Sequence, residues 1–165
     1  MSAKIKNRHL LKEKEIKNLI YELSKTFHGH VFDTNASVET GLIEHFSMIL
    51  VNGSIDFFMK DGRIFFTLTS VNKYALKEQY VVVDMGAIKF VTNGADIMGP
   101  GIVDADPNIK EDDLVWVCDE KYRKPLAVGI ALVSGEAMRS KKTGKAVKNI
   151  HYVGDELWNL MRLIK

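Results

Sequence analysis

Residues 81–103 read VVVDMGAIKFVTNGADIMGPGIV, and this stretch decides the fold of the second half of the chain. An apolar run leads into a short segment of mixed polarity, a glycine, a second apolar pair and a Gly-Pro-Gly bend. Gly94 is well placed to end a helix, while Gly99 and Gly101 leave backbone amides unshielded by side chains. We therefore expect a strand, a helix of one to two turns, a second strand and a bend that a ligand backbone can approach closely.

Further short elements are predicted on both sides of this stretch. Strands are expected at Tyr80 to Val83, 96–98, 102–103, Leu114 to Cys118, Pro125 to Leu132 and Asn149 to Val153. Helices are expected at Ala87 to Val91, at Glu136 to Lys141 with Ser134 as its cap, and at Leu157 to Leu163. Many short strands separated by turns favour a small barrel, because closure removes unpaired edges.

The first half of the chain has the pattern of an α+β domain. Apolar residues recur at three- and four-residue steps from about residue 10 to residue 28, which predicts an amphipathic helix. Strands are expected at Ser47 to Val51, Ile55 to Met59 and Ile64 to Leu68. The intervening Asn52-Gly53 and Asp61-Gly62 pairs tolerate the positive φ angles of tight hairpins.

A tight domain boundary is expected between residues 71 and 78, where the apolar pattern fades without a Gly-, Pro- or Ser-rich linker. This gives two domains, 1–76 and 77–165, that we expect to pack together.

The order and spacing of Asp84-x-Gly86-Ala87, Gly94-Ala95 and Pro100-Gly101-Ile102 resemble the signature of the PUA domain, an RNA-binding module. The helix-and-hairpin first half resembles the pre-PUA domain, and Asn149-Ile150-His151-Tyr152 with Leu157-Trp158 is similar to the C-terminal end of the same proteins. This two-domain family includes archaeal PUA proteins, the eukaryotic translation factor malignant T-cell-amplified sequence and the N-terminal part of ligatin. The resemblance implies a pre-PUA α+β domain packed on a PUA β pseudobarrel.

The resemblance also implies a function. The chain is expected to recognise structured RNA, either tRNA or small-subunit rRNA, as a translation-associated factor in initiation or in tRNA and ribosome recycling. The ribosome or a translation-factor protein is a further expected partner. Carried over residue by residue, the RNA-binding positions are Lys89, Asn93, Gly94, Ala95, Asp96, Met98 and Gly99.

Basic residues between positions 137 and 150 form a second part of the predicted RNA site. The net charge is only +2, but this segment holds five basic residues and no acid: Arg139, Lys141, Lys142, Lys145 and Lys148. Neutralisation of RNA phosphates is one interpretation. A solvated loop rim around Thr143-Gly144 is the alternative. Residues 102–120, by contrast, hold seven acids and one lysine, which argues against a purely basic binding face.

Neither a catalytic nor a metal-binding arrangement is predicted. The single cysteine, Cys118, lies in an apolar run and is expected to be a buried thiol. His28-x-His30 lacks further ligands at metal spacing, so no metal or other cofactor is expected. Apolar runs fall far short of the roughly 20 residues that a membrane helix needs, which favours a cytoplasmic protein with no membrane partner.

Three alternatives stay open at this stage. Phe57, Phe58, Phe65 and Phe66 are interpreted as hydrophobic core, with a base-stacking platform as the alternative.

The chain is also compatible with an accessory subunit that delivers RNA to a separate modification enzyme. A protein-interaction adaptor that has lost RNA binding is the third alternative, favoured by the acidic stretch after Val103.

Overall fold

The computed structural model describes residues 2–27, 29, 31–140 and 143–164. The chain divides into two compact units. One contains the first 74 residues together with those from Asn159 onward, and the other contains Ala75–Trp158.

The first unit is built on a five-stranded antiparallel sheet whose strands follow chain order. Its elements are β1 (Lys6–Leu10), α1 (Glu13–Thr26), β2 (Val38–Ile43), β3 (Phe46–Val51), β4 (Ser54–Lys60), β5 (Arg63–Phe66) and α2 (Leu68–Lys73). Asn52 and Gly53 have φ angles of 51° and 82°, and Asp61 and Gly62 have 50° and 76°. The predicted tight hairpins are thereby confirmed.

The start of the predicted first helix was wrong. Leu10 pairs with Glu39 in the β1–β2 ladder and its side chain is 62% exposed, so it does not belong to the apolar face of the helix. Helix α1 begins at Glu13, where the backbone N–H of Lys12 donates to Oε1 of Glu15 over 3.0 Å. The third predicted strand also ends early, because Leu68 starts helix α2.

Aromatic side chains form the centre of the first unit. The rings of Phe27 and Phe66 meet edge to face with centroids 4.1 Å apart, and the centroids of Phe57 and Phe66 are 5.0 Å apart. Phe58 stacks on Phe65 with a centroid separation of 5.3 Å. The four phenylalanines of β4 and β5 that were predicted to be core residues are all buried. The core interpretation is confirmed, and the base-stacking alternative was wrong.

The second unit holds the remaining strands in one six-stranded sheet. Its elements are β6 (Tyr80–Val83), a 3-10 turn (Met85–Ala87) that continues into α3 (Ile88–Val91), β7 (Ile97–Met98), β8 (Ile102–Ala105), β9 (Leu114–Asp119), β10 (Pro125–Ala131), α4 (Gly135–Ser140) and β11 (Lys145–Tyr152). Helix α5 (Glu156–Arg162) follows. Ser134 caps α4 as predicted, since its Oγ accepts from the N–H of Ala137 at 3.1 Å.

The strand order explains why this sheet curls. The order is β7-β11-β10-β9-β6-β8, so the two edge strands are consecutive in the chain. Only the turn Gly99–Gly101 separates them, and so short a connection brings the two edges together. The result is a barrel-like sheet, as the resemblance to a PUA pseudobarrel implies, and the predicted fold class is confirmed. Its interior is apolar, and Cys118 is a buried free thiol as expected.

Within the described residues, no helix is long and apolar enough to cross a bilayer.

Candidate nucleic-acid interface

An open groove of about 680 Å³ lies in the second unit, and almost all of its wall comes from residues 83–101. The lining includes Gly86, Ala87 and Phe90 from the helical part of this segment. It also includes Ala95, Asp96, Met98, Pro100 and Gly101, which follow the helix. Among the lining residues that the structure describes, only Lys145, from β11, lies outside this segment. The stretch that decides the fold therefore also shapes the principal candidate site.

One end of the groove is fixed by Asp84. Its Oδ1 accepts from the N–H of Ala87 at 2.9 Å and so caps the 3-10 turn that starts the helical wall. Its own N–H donates to the carbonyl oxygen of Gly101 at 2.9 Å. Asp84 thus ties the start of the helix to the Gly99–Gly101 bend.

The turn after α3 is fixed by close packing. The N–H of Ala95 donates to the carbonyl of Phe90 at 3.0 Å, and Gly94 has a φ of 93° that L side chains rarely adopt. A Cβ at residue 94 would lie 2.9 Å from the hydroxyl oxygen of Tyr152. Gly94 is therefore required by the backbone and by its neighbour, whatever binds in the groove.

Asn149 fastens this turn to β11. Its Nδ2 donates to the carbonyl oxygens of Val91 and Ala95 over 3.1 and 3.0 Å. Its backbone N–H donates to Oδ1 of Asp96 at 3.0 Å. The C-terminal end of α3 and the segment that leads into β7 are consequently held to the barrel by one residue.

The groove combines exposed apolar surface with cations at its rim. Phe90 is 59% exposed and Met98 is 46% exposed, although both are large apolar residues. The Nζ of Lys89 lies 5.1 Å from the centroid of the Phe90 ring. The Nζ of Lys145 lies 3.3 Å from Oδ2 of Asp96. A nucleobase could stack on the exposed Phe90 ring, and the phosphate of the same nucleotide could then lie near a lysine ammonium group.

Family comparisons agree with this architecture. The PUA domain model matches residues 79–153, and a domain of unknown function (DUF1947) matches residues 7–74. An uncharacterized protein of Methanocaldococcus jannaschii is 45% identical over 94% of this chain and 97% of its own length. The chain belongs to the family of two-domain PUA proteins.

Eukaryotic relatives and a solved structure support the same assignment. Malignant T-cell-amplified sequence 1 of Rattus norvegicus is 35% identical over 71% of this PUA protein and 66% of its own length. Translation machinery-associated protein 20 of Schizosaccharomyces pombe is 39% identical, over 66% and 62% respectively. The matched region thus spans a little under two thirds of these eukaryotic relatives. The crystal structure of a hypothetical protein from Pyrococcus horikoshii superposes with a TM-score of 0.83 at 38% identity, covering 93% of this chain and 99% of that one.

The groove of this PUA protein brings together only some of the predicted site residues. Ala95, Asp96, Met98 and Lys145 line it. Lys89 and Asn93 are exposed, on α3 and on the turn that follows. Gly99 is buried and its N–H donates to the carbonyl of Gly144 at 2.7 Å. The expectation that this amide is open to a ligand was wrong, because the bend uses it to hold the loop before β11.

Phe90 and Met85 are exposed apolar residues that sequence reasoning missed. Ile88 and Val91 pack toward the barrel core, so Phe90 falls on the outer side of a four-residue helix. A large apolar residue at an outward helical position was the available signal.

The basic segment divides between several places. Arg139, on α4, has its Nε 3.3 Å from Oδ1 of Asp104. Lys148 is exposed on β11. Lys141 and Lys142 lie outside the described residues, as do His28 and His30. Where the chain is described, no group of three or more His, Cys, Asp or Glu side chains is arranged to hold a metal ion.

Two carboxylates of the acidic stretch, Asp106 and Asp113, hold turns. The carboxylate of buried Asp106 accepts from the backbone N–H groups of Gln79 and Asn108 at 2.7 and 2.9 Å. Asp113 accepts from the N–H of Lys110 at 2.8 Å. These carboxylates have structural partners, which weakens the argument for an acidic docking face.

Proposed function

We propose that this PUA protein binds structured RNA, either tRNA or small-subunit rRNA, by seating unpaired nucleotides in the groove. The observation that carries the proposal is the exposure of Phe90 and Met98 along a concave wall. Exposed apolar surface of this kind marks a binding site. An aromatic face accepts any base, because every base has a π face.

Charge around the groove supports a nucleic acid as the ligand. Lys89 lies beside the Phe90 ring, so a base stacked there would carry its phosphate near the ammonium group. Lys145 forms an ion pair with Asp96, and a phosphate would compete with that carboxylate for the Lys145 ammonium group. The proposed contact residues are Lys89, Asn93, Ala95, Asp96, Met98, Arg139, Lys145 and Lys148, with Gly94 and Gly99 shaping the wall and Lys141 and Lys142 extending the basic segment.

A role in translation is part of the same proposal. One relative carries the name translation machinery-associated protein, which supports a role in translation. The protein would act by positioning an RNA end, without chemistry of its own, while the first unit docks on rRNA or on a protein. The location that fits this role is the cytoplasm.

Fluorescence anisotropy with labelled tRNA and a small-subunit rRNA fragment tests the proposal. Phe90→Ala should weaken binding on the order of tenfold through loss of stacking. Lys89→Glu should weaken binding further and reduce its dependence on salt. For the wild type, raising salt from about 50 to about 200 mM should lower affinity on the order of tenfold or more. Lys14→Glu, an equal charge change on exposed α1, is the matched control and should leave tRNA binding unchanged.

Failure to bind either RNA at low salt, or equal binding by Phe90→Ala, Lys89→Glu and the wild type, contradicts the proposal. Affinity purification of the tagged protein separates the two rivals. Recovery with a modification enzyme, and not with ribosomal particles, would favour an accessory subunit. Recovery with a protein partner and no RNA would favour an adaptor.

A further inference from the structure

The turn between β9 and β10 presents the most exposed large apolar side chain of the described residues. Tyr122 is 69% exposed, and it lies between Lys121 and Arg123, with Lys124 next along the chain. All four residues are exposed. The Nζ of Lys121 lies 5.1 Å from the centroid of the Tyr122 ring. An aromatic ring and an adjacent ammonium group recur here, as they do at Phe90 and Lys89.

A buried carboxylate makes this turn rigid. Asp119 is 2% exposed, and its side chain accepts from the backbone N–H groups of Lys121, Tyr122 and Lys124. Arg123 has a φ of 55°, and its backbone N–H donates to the carbonyl oxygen of Asp119 at 3.2 Å. The turn is therefore fixed from beneath, and a ligand that binds Tyr122 need not order it first.

The two lysines of the turn are available for a ligand. Neither Lys121 nor Lys124 forms an ion pair with any residue in the described part of the chain. An exposed apolar ring beside two unpaired cations matches nucleic acid, in which bases and phosphates alternate. A protein surface would have to supply acids and an apolar pocket at the same spacing.

The turn adjoins the groove through strand β6. Val83 and Asp84 line the groove, and Val83 pairs in parallel register with Asp119. The N–H of Glu120 donates to the carbonyl of Val83 at 2.9 Å. Tyr122 is three residues beyond Asp119, so its Cα lies at most about 10 Å from that of Asp119. An RNA strand that leaves this end of the groove has the turn within reach.

We propose that the β9–β10 turn, Glu120–Lys124, is a second RNA contact that continues the groove. Tyr122 stacks on a base of the RNA outside the groove, and Lys121 and Lys124 neutralise its phosphates. This inference rests on the proposed function, because it assigns the turn to the same RNA.

Two RNA probes distinguish the turn from the groove. One is a single strand of roughly four nucleotides, short enough to occupy the groove alone. The other is a hairpin that carries the same single strand as a 3′ tail. Tyr122→Ala in the full chain should weaken the hairpin on the order of tenfold and leave the short strand unchanged. Tyr122→Phe keeps the ring and should bind both RNAs as the wild type does.

Charge and fold controls complete the experiment. Lys121→Ala with Lys124→Ala should lower the slope of log affinity against log salt by about one to two for the hairpin only. Tyr21→Ala is the matched control, since Tyr21 is also exposed and has the Lys25 Nζ 4.5 Å from its ring centroid on α1. It should have no effect on either RNA. Thermal unfolding should be the same for all of these surface variants.

The outcomes separate the two proposals. If Phe90→Ala weakens both RNAs but Tyr122→Ala and the double lysine variant bind the hairpin normally, the turn is not an RNA contact. A turn that binds protein would give that same result. If Phe90→Ala affects neither RNA, the proposed function of the groove fails by itself. Equal weakening of both RNAs by Tyr122→Ala would contradict the assignment of the turn to RNA outside the groove.

Discussion

The phenol ring of Tyr152 lies against Gly94 so closely that a Cβ at residue 94 would be 2.9 Å from the hydroxyl oxygen and 3.1 Å from Cζ. Gly94→Ala must therefore move the ring or the turn, in addition to holding alanine at a φ of 93°. We expect the free energy of unfolding to fall by several kcal/mol, and urea unfolding measures this loss.

Gly154→Ala separates the cost of backbone strain from the cost of the contact with the Tyr152 ring. Gly154 has a φ of 92°, yet a Cβ there has nothing within 4 Å. Its substitution should cost about 1–2 kcal/mol for backbone strain alone. The excess for Gly94→Ala, on the order of 1–3 kcal/mol, then reports the contact with Tyr152. Equal losses for the two variants would show that the ring moves aside freely.

Removal of the Asn149 side chain should loosen the groove without unfolding the barrel. Asn149→Ala leaves the carbonyls of Val91 and Ala95 without their side-chain donor, which should cost about 1–3 kcal/mol. Hydrogen exchange at the amides of residues 94 and 95 should become faster, and RNA affinity should fall. Asn18→Ala, on the exposed face of α1, should change neither the hydrogen exchange at residues 94 and 95 nor the RNA affinity. Normal exchange at the turn in Asn149→Ala would contradict the role of Asn149 as its anchor.

The sequence was most informative where a local rule fixes the backbone. Asn52-Gly53, Asp61-Gly62 and the Ser134 cap each behave as their residue types require, because the turn or cap depends on neighbours in the chain. Strand β1 was missed because its register depends on β2, some thirty residues away. An exposed five-residue strand carries no apolar alternation of its own, and its leucine was therefore assigned to the next helix.

The candidate site shows the same division. The Gly94 turn was located from sequence, but the reason for the glycine is a ring at position 152. Lys145 was expected on a basic stripe, whereas its partner Asp96 lies far earlier in the chain, immediately before β7. Spacing along the chain does not reveal such pairs, since the antiparallel pairing of β7 with β11 brings them together.

Stability of the second unit should depend on pH through Asp119. Burial alone would raise the pKa of Asp119, but backbone N–H groups of Tyr122, Lys124 and Lys121 outweigh it and hold the pKa below its ordinary value. Because the pKa is lower in the folded state, the ionised Asp119 side chain contributes its full stability above the unfolded-state pKa of about 3.9. That contribution is lost as the pH falls below this value. The wild type should therefore lose stability in this acid range.

Asp119→Asn isolates that contribution. An amide places an N–H₂ donor where the carboxylate has an acceptor, so the variant should be less stable at pH 7. The difference from the wild type should shrink as the pH falls below about 4, because the unfolded wild type binds a proton at Asp119 there before the folded protein does. Urea midpoints across the pH range measure this. Asp61→Asn, in a tight turn that favours either residue, should follow the wild type. A gap for Asp119→Asn that stays constant with pH would show that its charge is unimportant.

The stability of the first unit should depend on Asp56, a buried carboxylate. It accepts hydrogen bonds from the Tyr74 hydroxyl, from Lys73 Nζ at 2.8 Å and from Ser54 Oγ at 2.9 Å. Burial, and then the hydrogen bond to Asp56, raise the pKa of Tyr74 far above its ordinary value. The hydroxyl therefore stays protonated as a donor at every pH where the protein is usually studied.

Tyr74→Phe deletes that donor while keeping the ring, which packs with its centroid 6.0 Å from that of Phe57. We expect a loss of about 1–3 kcal/mol in the free energy of unfolding, because a buried charge loses one of its donors. Tyr21→Phe, at an exposed position, should cost nothing measurable. A group whose pKa is raised by folding contributes its full stability below its ordinary pKa and loses it as the pH rises above that value. The difference in free energy of unfolding between Tyr74→Phe and the wild type should therefore be complete at neutral pH and should narrow only in strong alkali. An unchanged urea midpoint for Tyr74→Phe would mean that Lys73 and Ser54 alone satisfy Asp56.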